Sequence, residues 1–371
     1  MRGSWRAARP TWIFMKIALF YLLLAAAVTL WLGSLLPIIP TDLWWVRVAD
    51  FPRLQTSIGL VVVLIGFLFF TRRYRTPATT AATITAGVLG YQAFVLLPYL
   101  PTGTDLASDS CPVDHRFKVM VANVRLSNNP DSRLIDQVRA ADPDVFLALE
   151  VDQKWTRALA PLKNRMPHTV IHPTGSYFGI ALYSRLPLDN PHIEHLAGQD
   201  TPQIVTGVQL PTGEVFDFLG IHPRPPHPSQ SALGRDAVLM RAAFLLRDHD
   251  RPGVVAGDFN AVPWEDAVAM MQDVARLVDP RHGYGYLPTY DAKSWWMAWP
   301  LDHVFYEAGF AALELERGRA FGSDHYPYIA TLCRVDRQRS ERPDAAERET
   351  LESARDIISR ARDQAEEWAS N

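Results

Sequence analysis

Three long runs without a charged side chain lie in the first hundred residues of this 371-residue chain. They cover about residues 17–36, 54–70 and 78–97. A helix needs about 20 apolar residues to cross the hydrocarbon core of a bilayer, so the sequence predicts a three-helix transmembrane region over residues 1–100. A cleaved signal peptide is the alternative for the first run. Two further runs follow it closely and no small-residue cleavage site does, which argues against that alternative.

The positive charges around these runs predict the orientation in the membrane. Four lie before the first run and three lie between the second and the third: Arg2, Arg6, Arg9, Lys16, Arg72, Arg73 and Arg75. Short loops rich in Lys and Arg stay in the cytoplasm. We therefore expect a multi-pass protein of the cell (inner) membrane with a cytoplasmic N-terminus and a periplasmic, extracytoplasmic domain after residue 100. If the third run does not insert, that domain is cytoplasmic instead.

The chain contains only two cysteines, Cys111 and Cys333, one near each end of the part that follows the membrane region. In an oxidising compartment such a pair can form a disulfide. Two free, buried thiols are the alternative.

A short apolar run at residues 254–256 ends at Gly257 and is followed by Asp258 and Asn260. Side chains two residues apart on extended chain point the same way, so this carboxylate and this amide would face one place. A polar turn after a buried strand is the plainer interpretation, since Gly, Asp and Asn all favour turns.

Other strand-like runs also end in polar residues. These residues are Asn123, Glu150, His222, Asp302 and the pair Asp324-His325. Many short strands with a few helices between them predict sheets that are covered by helices. Each polar position has an ordinary explanation as a turn or loop residue, but together they indicate one polar site at the ends of several strands.

The motifs around these positions resemble a known family. They are Asn123, Leu149-Glu150-Val151, Gly220-Ile221-His222, Gly257-Asp258-Phe259-Asn260, Leu301-Asp302-His303 and Ser323-Asp324-His325. In this order they are similar to the endonuclease/exonuclease/phosphatase superfamily, over about residues 117–335, and the layout resembles a membrane-anchored bacterial subgroup. The resemblance implies an α+β catalytic domain, a four-layer α/β/β/α sandwich with its site at one rim.

The resemblance also implies phosphoester hydrolysis assisted by Mg²⁺, with Mn²⁺ as the alternative. Mg²⁺ prefers oxygen ligands and keeps several waters. The implied metal ligands are Glu150 and Asn123, with Asp324 at the same or a second metal. The implied catalytic residues are Asp258 as orienter or base for the attacking water, Asn260 on a phosphate oxygen, His325 as a cation, Asp302 as its partner and His222 as the proton donor to the leaving oxygen. Which residue is the general base stays open, as does the number of metals.

The substrate is less constrained. Tyr183 and Arg224 are candidate substrate-binding residues, and His303, which follows Asp302, is expected to pack rather than bind. The net charge of −3 and the lack of a Lys/Arg cluster argue against a surface that follows duplex DNA. An aromatic-rich segment, residues 282–300, either packs on the domain or forms a platform for a bilayer surface or a base. A nucleic acid and a lipid headgroup both stay open as substrates.

The remaining segments are a linker over residues 101–116 and a charged C-terminal helix within residues 336–371. A narrow apolar stripe along that helix predicts packing on its own domain or a largely solvated helix, with a short coiled coil as the weaker alternative.

Taken together, the apolar runs and the motifs lead us to expect a membrane-anchored, divalent-metal-dependent phosphoesterase, most simply a phosphodiesterase. The rival is a tethered binding module without activity, against which the full set of polar positions argues. Oligomeric state and the choice between monoester and diester stay open.

Overall fold

The structure is a computed structural model of the chain and describes residues 11–103, 111–196, 201–336 and 343–370. Most of the predicted linker, the start of the C-terminal tail and Arg2, Arg6 and Arg9 lie outside the described residues. The helices are α1 (Thr11–Leu35), α2 (Trp44–Arg47), α3 (Arg53–Phe70), α4 (Arg75–Leu96), α5 (Ser132–Ala141), α6 (Gln153–Leu159), α7 (Leu233–Arg247), α8 (Asp266–Ala275) and α9 (Arg348–Ser370). The strands are β1 (Arg116–Asn123), β2 (Val145–Leu149), β3 (His168–His172), β4 (Ile180–Ser184), β5 (Leu188–Glu194), β6 (Gln203–Gln209), β7 (Val215–Ile221), β8 (Gly253–Asp258), β9 (Asp302–Tyr306), β10 (Phe310–Arg317) and β11 (Tyr328–Arg334).

The chain forms two compact units, and the first contains Met1–Thr41 with Pro52–Leu97. Its helices α1, α3 and α4 are long and apolar enough to cross a membrane, with mean hydropathy of 2.1, 1.9 and 1.5 over their most apolar parts. Small residues allow close packing here: a side chain at Gly66 would begin 2.8 Å from the Leu23 side chain. A polar bond joins α1 to α4, where Gln92 Nε2 donates to Ser34 Oγ at 3.0 Å.

The second unit contains Pro98–Asn371 together with Asp42–Phe51, the segment between α1 and α3. The sequence assigned residues 42–51 to the membrane region because they lie between two apolar runs, and the structure differs. The amide of Ala232 donates to the Asp42 carbonyl at 2.8 Å, and Trp264 Nε1 donates to the Asp50 carbonyl at 2.9 Å. Two backbone carbonyls of this short segment are therefore hydrogen-bonded within the second unit.

Two mixed sheets form the centre of the second unit. The first has the strand order β10-β11-β1-β2-β4-β3 and the second the order β5-β6-β7-β8-β9. The pairs β1–β2 and β7–β8 are parallel, and the other neighbours are antiparallel. In each sheet, the two strands of the parallel pair therefore have their carboxyl ends at the same edge.

The side chains of the central strands alternate between two apolar clusters, which explains the layers. On β8, Val254 and Ala256 face the core between the sheets, while Val255 faces α7 and α8. On β2, Leu147 faces the core between the sheets and Phe146 faces α5 and α6. Burial on both faces makes these strands continuous apolar runs. The predicted four-layer α/β/β/α sandwich is confirmed.

Two features hold the ends of this unit to the sandwich. Cys111 and Cys333 form a disulfide with a Cα–Cα distance of 6.1 Å, and Cys333 lies on β11 opposite Arg116 of β1. The helix α9 packs its apolar stripe on α7 and α8, with Ala354 fully buried there. The charged C-terminal helix is therefore packed on its own domain.

Candidate active site

The predicted polar residues meet at one rim of the sandwich. In the parallel pairs Asn123 lies opposite Leu149, the residue before Glu150, and Ile221, the residue before His222, lies opposite Gly257. Because parallel strands end together at one edge, all four polar strand ends reach the same rim. A hydrogen bond of 3.0 Å from Asn123 Nδ2 to Asp258 Oδ2 joins the two sheets there.

Gly257 is required by the close approach of β7 and β8. Its φ is 152°, and a Cβ at this position would lie 1.8 Å from the carbonyl oxygen of Ile221. Any side chain would push apart the strands that carry His222 and Asp258. The glycine that precedes Asp258 in the sequence therefore sets the spacing of the site.

Asp258 is the centre of the cluster. Its Oδ1 accepts from the amide of Asn260 at 2.9 Å. Its Oδ2 lies 3.5 Å from Nε2 of His325 and 3.8 Å from Nε2 of His222. Burial raises the pKa of Asp258, and the charge of His325 opposes that rise.

His325 is held as a cation between two carboxylates. Its Nδ1 lies 2.8 Å from Oδ2 of Asp302, and both side chains are buried. Burial alone would lower the pKa of His325, but the Asp302 and Asp258 carboxylates outweigh it and raise the pKa to about 10. The Ser323 hydroxyl fixes the His325 backbone by accepting from its amide at 3.1 Å and donating to the Asn123 carbonyl at 2.7 Å.

His222 is the neutral histidine of the pair. It is buried, and burial lowers its pKa in spite of the nearby Asp258. Its amide donates to Oε1 of Gln203 at 2.7 Å, which fixes the chain at the end of β7. Its Nδ1 has no hydrogen-bond partner among the described residues. One neutral and one charged imidazole therefore flank the same carboxylate.

Glu150 presents its carboxylate from a left-handed turn, with φ of 61° directly after β2. Its Oε2 accepts from the amide of Leu126 at 2.8 Å, and its Oε1 accepts from Asn123 Nδ2 at 2.9 Å. Burial raises the pKa of Glu150, and the Leu126 hydrogen bond partly opposes this. The Asn123 oxygen accepts from the amide of Arg125 at 2.9 Å, so its amide nitrogen bridges Glu150 and Asp258.

The oxygen atoms around Glu150 fit a hard divalent cation. Glu150 and Asp258 are carboxylates bridged by one amide nitrogen, and oxygen ligands are the ones that Mg²⁺ and Mn²⁺ prefer. A second set, with ligand atoms of Asp258, Asp302 and His325 within 4.8 Å of one another, fits less well. A protonated imidazole has no lone pair to offer a metal, and the raised pKa keeps His325 protonated.

Asp324 and Asn260 are held by neighbours at the same rim. Asp324 Oδ2 lies 3.2 Å from Nε of Arg125, so this carboxylate already faces a cation. Asn260 has φ of 51° and donates from Nδ2 to the Pro223 carbonyl at 3.0 Å. Its own carbonyl accepts from Nη1 of Arg235 at 3.0 Å.

Sequence reasoning missed Arg235, which supports Asn260 from inside the fold. Arg235 is fully buried on α7 and forms ion pairs with Asp236 and Glu265. Burial raises the pKa of Glu265 to about 8, although Arg235 opposes the rise. The signal available in the sequence was an Arg-Asp pair near the start of a mostly apolar helix.

The structure does not bring Tyr183 to the site. Tyr183 lies opposite Phe146 in the β2–β4 register, toward the end of β4 that is remote from the Leu149–Ile180 pair. Its ring is buried 6.1 Å from the Phe146 ring, in the cluster under α5 and α6. It is therefore a core residue.

Arg224 lies closer to the catalytic cluster. Its guanidinium is 4.8 Å from the centroid of the Phe178 ring, and that ring is 6.1 Å from the His222 ring. Phe178 was missed by sequence reasoning, since a lone aromatic residue in a loop carries no motif. Phe178 therefore lies between Arg224 and His222.

His303 has a packing role. Arg281 Nη2 donates to its Nδ1 at 2.5 Å, its Nε2 donates to the Ala261 carbonyl at 2.9 Å, and its ring stacks on Phe259 at 4.6 Å. Burial and the charge of Arg281 lower its pKa well below the usual value. This neutral histidine supports the loop after β8.

The aromatic segment borders the site through Tyr290. The Tyr290 ring is 4.9 Å from the His325 ring. The amide of Ala292 donates to the Asp324 carbonyl at 2.7 Å. The segment is thus bonded directly to the rim that carries the polar residues.

Several solved structures share this fold. An endonuclease/exonuclease/phosphatase from Beutenbergia cavernae DSM 12333 is 20% identical, with a TM-score of 0.51 over 64% of this chain and 76% of that one. A humanized TDP2 from D. rerio is 16% identical, with a TM-score of 0.51 over 59% of this chain and 99% of that one. D. rerio TDP2 complexed with single strand DNA product is 16% identical, with a TM-score of 0.50 over 58% of this chain and 98% of that one. At these identities the likeness concerns the fold. No curated protein matches the sequence.

The family is established by the sequence itself. The sequence model of the Endonuclease/Exonuclease/phosphatase family matches residues 120–325, which is 206 of the 371 residues. The match begins on β1 and ends at His325, so it spans the whole rim described above. With more than half of its length matched, the chain belongs to the endonuclease/exonuclease/phosphatase family.

Proposed function

We propose that this protein is a membrane-anchored, divalent-metal-dependent phosphodiesterase that hydrolyses a P–O bond with an activated water. The observation that carries the proposal is the buried Asp258 carboxylate, with the protonated His325 at 3.5 Å and the neutral His222 at 3.8 Å. A carboxylate with a raised pKa beside one charged and one neutral imidazole provides a base, a charge stabiliser and a proton carrier in one place.

Asp258 orients the attacking water and takes its proton. Its Oδ1 is held by the Asn260 amide, so Oδ2 is the oxygen that faces the two histidines and the water. Burial has raised the pKa of Asp258, which makes its carboxylate a stronger base than an exposed one. Proton transfer to a positioned side chain typically contributes about 10²–10⁴-fold to a rate.

His325 neutralises the negative charge that develops on the phosphoryl oxygens. The Asp302 carboxylate holds the ring in one orientation through Nδ1 and leaves Nε2 to face the reacting group. Asn260 keeps one amide hydrogen for a phosphate oxygen, because only the other is used by the Pro223 carbonyl. These donors are fixed before substrate arrives, which is what makes them effective in the transition state.

His222 faces the leaving oxygen. Its low pKa keeps the ring neutral in the ground state, so it transfers a proton that it first receives through Asp258. Glu150 would hold the divalent cation beside Asp258, and Mg²⁺ or Mn²⁺ bound there would polarise a phosphoryl oxygen as a Lewis acid. Asn123 keeps the two carboxylates together by donating to both.

The proposed location is the cell membrane, with the catalytic unit on the extracytoplasmic side. The basic residues near α1 and between α3 and α4 support a cytoplasmic N-terminus. Residues 42–51 and the catalytic domain belong to one compact unit and must lie on the same side of a bilayer. This requires an even number of crossings between them, which α3 and α4 provide. The Cys111–Cys333 disulfide supports an oxidising compartment.

The test is hydrolysis by the full chain in lipid nanodiscs, assayed on DNA, RNA, phospholipids and phosphomonoesters, with Mg²⁺ and with a chelator. We expect metal-dependent cleavage that falls by at least about 10²-fold in Asp258→Ala and in His325→Ala. The matched control is His249→Ala, because His249 also bonds a buried aspartate, Asp217, at 2.8 Å but at the opposite end of β7.

Three results would contradict the proposal. Wild-type rates in both site variants would refute the assignment of the site. A lack of cleavage of every substrate with every metal would favour the binding module without activity. A reporter enzyme fused after residue 371 that works only in the cytoplasm would refute the orientation.

A further inference from the structure

Two membrane-adjacent segments pack on one face of the catalytic unit. Residues 42–51 end one residue before α3, and residues 98–102 follow α4. Both reach Trp264: its Nε1 donates to the Asp50 carbonyl at 2.9 Å, and its ring lies 5.3 Å from the Tyr99 ring. The two segments therefore share one attachment area.

The aromatic segment of residues 282–300 forms part of the same face. The amide of Gly283 donates to the Pro98 carbonyl at 2.6 Å, and the amide of Thr102 donates to the Gly283 carbonyl at 3.0 Å. At the other end of the segment, the Trp299 ring lies 5.6 Å from the Phe51 ring. Residue 51 is separated by one residue from the first residue of an apolar, span-length helix. The chain therefore enters α3 and leaves α4 beside this face.

The middle of the segment is exposed and suited to a membrane interface. Trp295 is 94% exposed and Trp296 is 57% exposed, and Lys293 beside them is also exposed. A Trp ring with one polar edge is favoured at the headgroup level, and Lys adds attraction to anionic lipid. Two adjacent exposed Trp side chains are unusual for a surface that faces only water.

The same segment is bonded to the catalytic residues. Tyr290 lies against His325 with 4.9 Å between ring centroids. The amide of Ala292 donates to the Asp324 carbonyl at 2.7 Å, and the Tyr326 hydroxyl donates to the Ala292 carbonyl at 3.3 Å. Contact of residues 293–296 with a bilayer would therefore set the catalytic rim beside the lipid headgroups.

We propose that residues 293–296 form a bilayer-surface contact that presents the active site to a phosphodiester in the lipid headgroup layer. The substrate class is then a phospholipid, and the occupant of the exposed Trp pair is the membrane itself. This inference rests on the proposed hydrolytic function, but the surface contact is measurable without any activity.

The first measurement is the depth of a spin label in the full chain, in nanodiscs of phosphatidylcholine and phosphatidylglycerol. The native cysteines are joined in a disulfide, so Trp295→Cys offers a single site for labelling. The control is Thr212→Cys, in the turn between β6 and β7 at the end of β7 remote from His222. We expect the label at residue 295 to respond to oxygen dissolved in lipid and the label at residue 212 to respond to a water-soluble nickel complex. Equal aqueous exposure of both labels would overturn the proposal.

The second measurement separates substrates presented by a bilayer from soluble ones. For Trp295→Ala combined with Trp296→Ala, we expect kcat/KM on nanodisc phospholipid to fall by at least about tenfold, since two interfacial aromatic contacts are lost. A short-chain, monomeric phosphodiester with the same headgroup should be cleaved at the wild-type rate, and Thr212→Ala should change neither rate.

The alternative occupant is a nucleobase stacked on the Trp pair. A loss confined to single-stranded DNA, with bilayer hydrolysis unchanged, would overturn the lipid proposal in favour of that platform. If neither variant nor wild type cleaves any phosphodiester, the proposed function fails, and the depth measurement still supports or refutes the membrane contact.

Discussion

The replacement Asp302→Asn tests the charge on His325 with little change in shape. Asp302 accepts from His325 Nδ1 at 2.8 Å inside the protein, and its carboxylate is the strongest influence that raises the pKa of His325 to about 10 against burial. The wild-type imidazolium is therefore present through neutral pH and is lost only as pH approaches about 10. In the variant, mainly Asp258 opposes the lowering of the His325 pKa by burial. The pKa of His325 therefore falls, and its positive charge is lost at a lower pH than in the wild type.

The magnitude follows from the interaction that is removed. Two unit charges about 4 Å apart attract by about 4 kcal/mol at an effective dielectric constant of about 20. That is of the order needed to raise the pKa of a buried histidine by several units, since one unit corresponds to about 1.4 kcal/mol. Removing one preorganised stabiliser of transition-state charge costs about 10²–10³-fold in rate. We expect this loss in kcat/KM of Asp302→Asn at pH 8, and a smaller loss at pH 6, where more of the histidine is protonated.

The assay is a pH–rate profile of wild type, Asp302→Asn and Asp217→Asn at one fixed Mg²⁺ concentration. Because every protein is compared at that same Mg²⁺ concentration, any effect of a bound cation on the pKa of His325 would be shared, and the difference between the profiles still reports Asp302. Asp217 is the matched control, because it is buried and also bonds a histidine Nδ1 at 2.8 Å, far from the rim. A profile of Asp302→Asn with the shape and height of the wild type would refute the role of His325 as a cation.

Three further predictions concern stability, each measured by denaturation of the full chain in detergent. Arg235→Met should lower the free energy of unfolding by about 3–5 kcal/mol, because Asp236 and Glu265 lose their buried cation. Adding Glu265→Gln to this variant should recover part of the lost free energy. A double variant no more stable than Arg235→Met would contradict the ion-pair explanation. Gly257→Ala should prevent normal pairing of β7 with β8. The control is Gly234→Ala on α7, where a Cβ meets nothing within 4 Å, and it should leave stability unchanged or raise it by up to about 1 kcal/mol. Equal melting temperatures of the two variants would refute this reasoning. Replacing both cysteines by serine should lower the free energy of unfolding by up to about 5 kcal/mol, because the disulfide joins residues that are 222 positions apart. Two free thiols in unreduced protein, detected by alkylation and mass analysis, would show that there is no disulfide to remove.

The fold could be predicted from the sequence because its strands are buried on both faces. Continuous apolar runs such as residues 254–256 and 145–149 predict central strands, and both lie in the middle of their sheets. Polar residues that end such runs could then be assigned to one rim. Asn123, Glu150, His222 and Asp258 meet there because the parallel pairs β1–β2 and β7–β8 bring strand ends together.

The expectations for Tyr183 and Asn123 show what strand patterns leave out. Tyr183 follows a strand pattern at β4, but the antiparallel register with β2 puts it beside Phe146, away from the rim. The register comes from side-chain packing between distant strands and is not visible in either strand alone. For Asn123, the sequence suggests an amide oxygen toward a metal, whereas the structure places its amide nitrogen between two carboxylates. Which end of an amide faces a site depends on the charges around it.

The support of Asn260 could not be predicted, because its parts come from three distant regions of the chain. Arg235 of α7 donates to the Asn260 carbonyl at 3.0 Å and is itself paired with Glu265, which precedes α8. The charge of Asp50, from the segment between the first two span-length helices, acts on Glu265, and the Asp50 carbonyl accepts from Trp264 at 2.9 Å. Each residue alone is an ordinary polar side chain in the sequence, and no local spacing links them. Burial turns them into one network, since charges removed from water are stable only when they are paired. The left-handed conformation of Asn260, φ of 51°, is thus supported by a network that reaches the segment between the first two apolar runs.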